Sequence, residues 1–142
     1  MATYLKRLEF RARYPSIQQG LFITLTEKRL PKGQEELNLG QTLSDALYQI
    51  PAEDRPGIVA QAISRMVSPF RAVTLTHLNI LFTPTFRLDV VRLLLSMCRN
   101  RKVCITWPGT MLDGKLFYAT PDSPEYYECD PHSLQDTYII ID

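Results

Sequence analysis

Four short apolar runs constrain this chain more than anything else in it: "GLFITLT" (20–26), "AVTLT" (72–76), "KVCITW" (102–107) and "TYIIID" (137–142). The first and third are β-branched and aromatic without a polar face, the mark of strands covered on both sides. Between them lie stretches with helical periodicity. "TLSDALYQI" (42–50) carries an apolar stripe, with Thr42 and Asp45 spaced as a capping pair. Pro56 opens a second amphipathic segment that runs to about Val67. "LDVVRLLLSMCR" (88–99) is apolar nearly all round, as expected of a helix packed hard on a sheet. Buried strands alternating with helices predict an α/β chain, a three-layer sandwich with a mainly parallel sheet.

The remaining segments are weaker. "LEFRARY" (8–14) alternates like an edge strand, although Leu5, Leu8 and Ala12 also fit a helix. Leu37 and Leu39 mark a very short apolar piece. Asp113-Gly114 signals a hairpin that returns as "LFYAT", and the tail through "PDSPEYYECDPHS" reads as irregular. A chain of 142 residues fits one domain, with 1–19 as an extra N-terminal element and 120–142 as an acidic tail ending in a strand.

Composition excludes several classes. A net charge of +1 gives no global field for nucleic acid or membrane. Basic residues gather in 1–33 and acidic ones in 120–142, and mutual pairing is the expectation. Cys98, Cys104 and Cys129 are odd in number and scattered, which fits buried reduced thiols better than disulfides or a zinc site. No metal or cofactor is expected. No apolar run approaches the roughly 20 residues that span a bilayer, and a cytoplasmic protein is expected.

In parallel α/β sheets, ligands sit beyond the carboxyl ends of the strands, which places any site near 26–33, 76–83 and 107–110. A phosphate loop needs G-x-x-x-x-G-K-[ST] directly after a buried strand. Gly33, Gly40, Gln41 and Thr42 give a spacing two residues too long, with Gln in place of Lys. Lys28 or Lys32 could supply a charge but no cradle. The strand at 72–76 ends in Thr76 and His77, followed by Asn79, where magnesium chemistry needs a fixed carboxylate. A Cys-His nucleophile built from His77, Asn79 and Cys98 or Cys104 is disfavoured by the apolar setting of both thiols. A nuclease built on the acidic tail lacks a companion lysine, and a solvated acidic face is the simpler account.

Three stretches carry a family resemblance: "LNLGQTLSDALYQIPAEDRP", "LNILFTPTFRLDVVRLLLSMCRNRKVCITWPGT" and "DGKLFYATPDSPEYYE". In order, Leu81-Phe82 with Pro84, Leu88-Asp89 with Arg92-Leu93-Leu94, and Asn100-Arg101 match the pattern. Trp107 with Gly109-Thr110, and Tyr118 with Pro121, Pro124, Glu125 and Tyr126, continue it. The set resembles the small P-loop protein (BrxF-type) of type III bacteriophage-exclusion (BREX) systems. The resemblance implies a P-loop NTPase-like fold, but the glycine-rich loop is replaced and Thr76, His77 and Asn79 form a degenerate Walker B region. It further implies a pseudo-ATPase adaptor or scaffold in an anti-phage defence complex, beside a large ATPase, methyltransferase or nuclease. Trp107, Tyr118, Tyr126 and Tyr127 are the candidate contacts to protein partners. Arg87, Arg92, Arg99, Arg101 and Lys102 are candidates for nucleic-acid or partner contact, DNA binding being the rival function. A third alternative is an ATPase completed by a partner's residues.

Overall fold

A computed structural model describes residues 2–26 and 30–141. Lys28 and Arg29 lie outside the described residues. Six strands form one wholly parallel sheet: β1 (Thr3–Lys6), β2 (Gly20–Thr24), β3 (Glu36–Asn38), β4 (Ala72–Thr76), β5 (Lys102–Thr106) and β9 (Thr137–Ile141). Their order is β1-β9-β2-β5-β4-β3. A small antiparallel sheet, β6 (Thr110–Leu112), β7 (Lys115–Tyr118) and β8 (Tyr127–Cys129), is inserted between β5 and β9.

Direction of travel decides which face each connection covers. From β3 to β4, β4 to β5 and β5 to β9 the chain moves one way across the sheet. Its helices α2 (Leu39–Leu47), α3 (Arg55–Val67) and α4 (Val90–Ser96), with the small sheet, all pack on one face over Leu21, Ile23, Val73, Val103 and Ile139. From β1 to β2 and β2 to β3 it moves the other way. Helix α1 (Arg7–Arg13) and the segment around Leu30 pack on the opposite face over Phe22, Cys104 and Ile140. Right-handed crossovers demand this division. The architecture is α/β with helices on both faces, and the layers are unequal, because the second face carries one seven-residue helix.

Several expectations need correction. Residues 7–13 form a helix rather than an edge strand; a strand not foreseen, β1, precedes it, and Phe10 is the buried residue while Leu8 is exposed. Phe10 earns that place by packing tilted against Tyr14 and Phe22, at 5.1 and 5.8 Å between ring centroids. Helix α2 starts at Leu39, not Thr42, because Asn38 caps it by accepting from Gln41 N–H at 3.0 Å. Asp89 accepts from Arg92 N–H, so α4 begins at Val90 and two 3-10 turns precede it. The tail holds a third strand, β8, where the sequence reads as irregular. The hairpin is where Asp113-Gly114 signals it, with φ of 52° and 79° at the two turn residues, as a two-residue primed turn requires. Among the described residues the ion pair is Lys115–Asp130 at 3.3 Å, and none there joins the basic start to the acidic tail. No helix among the described residues is long and apolar enough to cross a membrane.

Candidate functional site

Three central strands end in threonine: "GLFIT", "AVTLT" and "KVCIT". Register sets Thr24 opposite Thr106, places Thr76 one step beyond the Leu75–Ile105 pair, and sets Asn38 opposite Thr76. Because side chains alternate, all four belong to the face opposite Leu75 and Ile105. A polar row of three hydroxyls and one amide therefore crosses β2, β5, β4 and β3 at their carboxyl ends. Thr106, Thr76 and Asn38 of this row border a cleft of about 900 Å³ that also takes in Lys32, Glu36, His77 and Asn79, with Leu30, Leu78 and Pro108 as apolar wall. This is the location expected from sequence for a sheet of this kind.

The chemistry of the row is neutral. Thr24 Oγ1 donates to Thr26 O at 3.1 Å and accepts from Thr26 N–H at 3.3 Å, closing the chain on itself at the end of β2. His77 Nδ1 and Thr76 Oγ1 lie 3.0 Å apart, and His77 adopts a left-handed φ of 58°. Thr106 Oγ1 is buried without a hydrogen-bond partner among the described residues. The charged groups, Lys32 and Glu36, come from the loop and the edge strand rather than from the strand ends. Sequence reasoning singled out Thr76, His77 and Asn79 but missed Thr24, Thr106 and Asn38. The signal was present: three strands of equal length sharing a final Thr.

The aromatic candidates are brought together, but chiefly with one another. Phe82 stacks on Tyr118 at 3.8 Å between centroids and meets Trp107 and Tyr127 edge-on, each at 5.6 Å. Trp107 is buried and donates from Nε1 to Phe117 O at 2.9 Å. Gly109 makes that approach feasible, since a Cβ there would sit 1.8 Å from the same oxygen. Tyr118 OH accepts from Asn79 Nδ2 at 3.0 Å, joining the turn after β4 to the aromatic set. Tyr127 OH donates to Asp89 Oδ1 at 2.7 Å and accepts from Val91 N–H at 3.0 Å. Trp107 and Tyr127 are thus accounted for by internal packing. Tyr126 differs: it is half-buried, its hydroxyl donates to Glu128 two residues on, and it lines a shallow cleft with Arg87 and Pro124.

The basic candidates are divided. Arg101 donates to Phe70 O and Met97 O, and Lys102 donates to Tyr14 O while its Nζ sits 3.9 Å over the Tyr14 ring. Both are tied into the fold. Arg87 stands in a left-handed conformation beside Tyr126. Arg92 and Arg99 are exposed and border another cleft, at the opposite end of the strands.

All three cysteines are free and buried. Burial raises the Cys98 thiol from 9.0 to about 12 and raises Cys104 as well, so neither is a nucleophile near neutral pH. Burial likewise raises Tyr14, whose hydroxyl lies 3.3 Å from Cys104 Sγ. Among the described residues no three His, Cys, Asp or Glu side chains converge as a metal site would require. No family model, no curated protein and no solved structure matches the chain.

Proposed function

We propose that the chain is a non-catalytic, P-loop-like adaptor subunit of a prokaryotic anti-phage defence assembly, a pseudo-ATPase. The observation that carries the non-catalytic part is the neutral row Thr24–Thr106–Thr76–Asn38 along the carboxyl ends of the strands. Nucleotide hydrolysis at that edge needs backbone amides that cradle phosphate and a carboxylate that holds magnesium through water. Here β2 closes on itself through Thr24 and Thr26, and Thr76 and His77 occupy the end of β4. Lys32 and Glu36 border the cleft without either requirement being met by their strand-end neighbours. The place in a defence assembly rests on the ordered resemblance over residues 37–126, and its partners are a large ATPase, methyltransferase or nuclease subunit on the same ground.

Two measurements test this. Calorimetry with ATP or GTP and magnesium is expected to show no binding, and micromolar, magnesium-dependent affinity would overturn the pseudo-ATPase reading. A tagged chain expressed with its neighbouring genes is expected to bring down a large subunit in fixed stoichiometry. Recovery of the chain alone, under conditions where the neighbours are expressed, would overturn the adaptor reading.

A further inference from the structure

A second polar surface lies at the other edge of the sheet, and the adaptor reading makes no use of it. One cleft of about 790 Å³ is bordered by Arg92, Arg99, His132 and Gln135 at the amino ends of β9 and β2. A second, of about 310 Å³, is bordered by Gln18, Arg71 and Asn100 at the amino ends of β5 and β4. Gln19 borders both, and its Oε1 accepts from Asn100 N–H at 3.0 Å, so the two clefts lie side by side and make one polar surface, called the groove below. The groove passes under four neighbouring strands, β9, β2, β5 and β4. At about 4.8 Å per strand that is roughly 15 Å, enough for a few phosphates along one strand of a duplex.

Its chemistry favours a polyanion. Arg71, Arg92 and Arg99 are exposed, and no ion pair or hydrogen bond from their guanidinium groups is present among the described residues. Carboxamides stand between them, and guanidinium and amide N–H groups are the donors that phosphate oxygens take. Two carboxylates also border the groove. Asp89 is engaged by Tyr127 OH and by Arg92 N–H. Asp136, at the turn into β9, remains as the opposing charge. A protein partner would seek aromatic or methionine anchors at the centre of such a patch. Neither residue type borders this one, and Leu95, Pro15 and Ile17 are among its few apolar members. His132 is its one planar ring, and a single imidazole gives no run of platforms on which successive unpaired bases would stack.

From this we infer that the amino-end groove binds the sugar–phosphate backbone of duplex DNA, without reading sequence. This is independent of whether the carboxyl-end cleft has lost nucleotide chemistry.

The test is fluorescence anisotropy of a labelled duplex with the full chain, titrated across salt concentrations. Arg92→Glu with Arg99→Glu is expected to weaken binding about tenfold or more and to lower the salt slope by about 2. Asp136→Asn is expected to tighten it. Arg65→Glu, on α3 and not among the residues that border the groove, is the control for overall charge and should change little. All four positions are exposed, and circular dichroism checks that each variant is folded. The inference is overturned if the native chain fails to bind duplex. It is also overturned if Arg65→Glu weakens binding as much as the Arg92→Glu, Arg99→Glu variant, or if poly-glutamate of equal charge competes as well as unlabelled duplex.

Discussion

Tyr127→Phe removes one oxygen atom and tests whether this residue belongs to the fold or to a partner. The ring keeps its contacts with Phe82 and Trp107, so no cavity opens. What is lost is a bridge: the hydroxyl donates to the Asp89 carboxylate and accepts from Val91 N–H in the first turn of α4. Asp89 is exposed and regains water, so its half of the loss is small. Val91 is 1% exposed, and its N–H is left with no acceptor. An unsatisfied buried donor costs about 1–3 kcal/mol, and a hydrogen bond to a charged group about 1.5–3 kcal/mol, of which exposed Asp89 recovers most from water. A loss of about 2 kcal/mol is expected, which for a chain of this length lowers Tm by about 5–8 °C.

Thermal denaturation followed by circular dichroism, with urea unfolding to obtain the free energy, measures it. Asp89→Ala removes the same bridge and also the cap on Arg92 N–H, at about 1–2 kcal/mol. In the double variant the bridge is lost once rather than twice, so a coupling of about 1 kcal/mol is expected. An unchanged Tm for Tyr127→Phe, or strict additivity in the cycle, would refute the assignment and return Tyr127 to the candidates for partner contact. Tyr126→Ala is the contrasting variant, because its hydroxyl bonds only to exposed Glu128 and nothing in the core depends on it.

Leu94→Asp is expected to leave the chain unfolded by circular dichroism, since Leu94 is fully buried in α4 and an unpaired buried carboxylate costs several kcal/mol or more. Thr106→Val keeps shape and β-branching while deleting a hydroxyl that has no partner among the described residues, so stability should rise by about 1 kcal/mol in urea unfolding; a loss would mean the hydroxyl has a partner. Alkaline stability should fall, and the sign follows from Cys98, which burial raises from 9.0 to about 12. Between those values the unfolded chain releases a proton that the folded chain keeps. Stability is therefore complete below about pH 8.5 and declines above it by up to about 1.4 kcal/mol per pH unit for this group, with Cys104 adding in the same direction. Urea midpoints between pH 8 and 11 measure this.

The elements that sequence revealed are those with a one-dimensional signature. β4 is where "AVTLT" places it, and the Asp113-Gly114 turn is where that pair demands two positive φ angles. The cleft lies where a parallel sheet predicts one. Other features depended on competition between neighbours. Thr42 with Asp45 has the spacing of a cap, but Asn38 comes first and satisfies Gln41 N–H, while Gln41 Nε2 engages Asp45. Alternation in 8–14 is true of the residue types, yet Phe10 alone is buried because one short helix against Phe22 is all this face accommodates. Tyr127 could not be read at all: its partner Asp89 is 38 positions away. The basic set failed similarly, since Arg101 and Lys102 find carbonyl groups at Phe70 and Tyr14 that no local pattern displays.

The thin second face follows from the same alternation. On β4 and β5 one set of side chains is Val73, Leu75, Val103 and Ile105, and the other is Ala72, Thr74, Thr76, Lys102, Cys104 and Thr106. The first set buries against three helices; the second offers too little apolar surface to hold another. In place of a helix, Gln34 tethers the segment leading to β3: it accepts from Tyr14 OH and donates to Thr74 Oγ1 at 3.1 Å. Leu30 adds an apolar contact to Phe22 and Cys104 on that side. Polar strand residues and a polar tether therefore imply each other. A helix laid over this face would displace the Gln34 tether and leave the buried Thr74 hydroxyl without its partner, at about 1–3 kcal/mol. Small and polar residues on one face of β4 and β5 thus keep that face thin, held by a polar tether rather than by a second layer of helices.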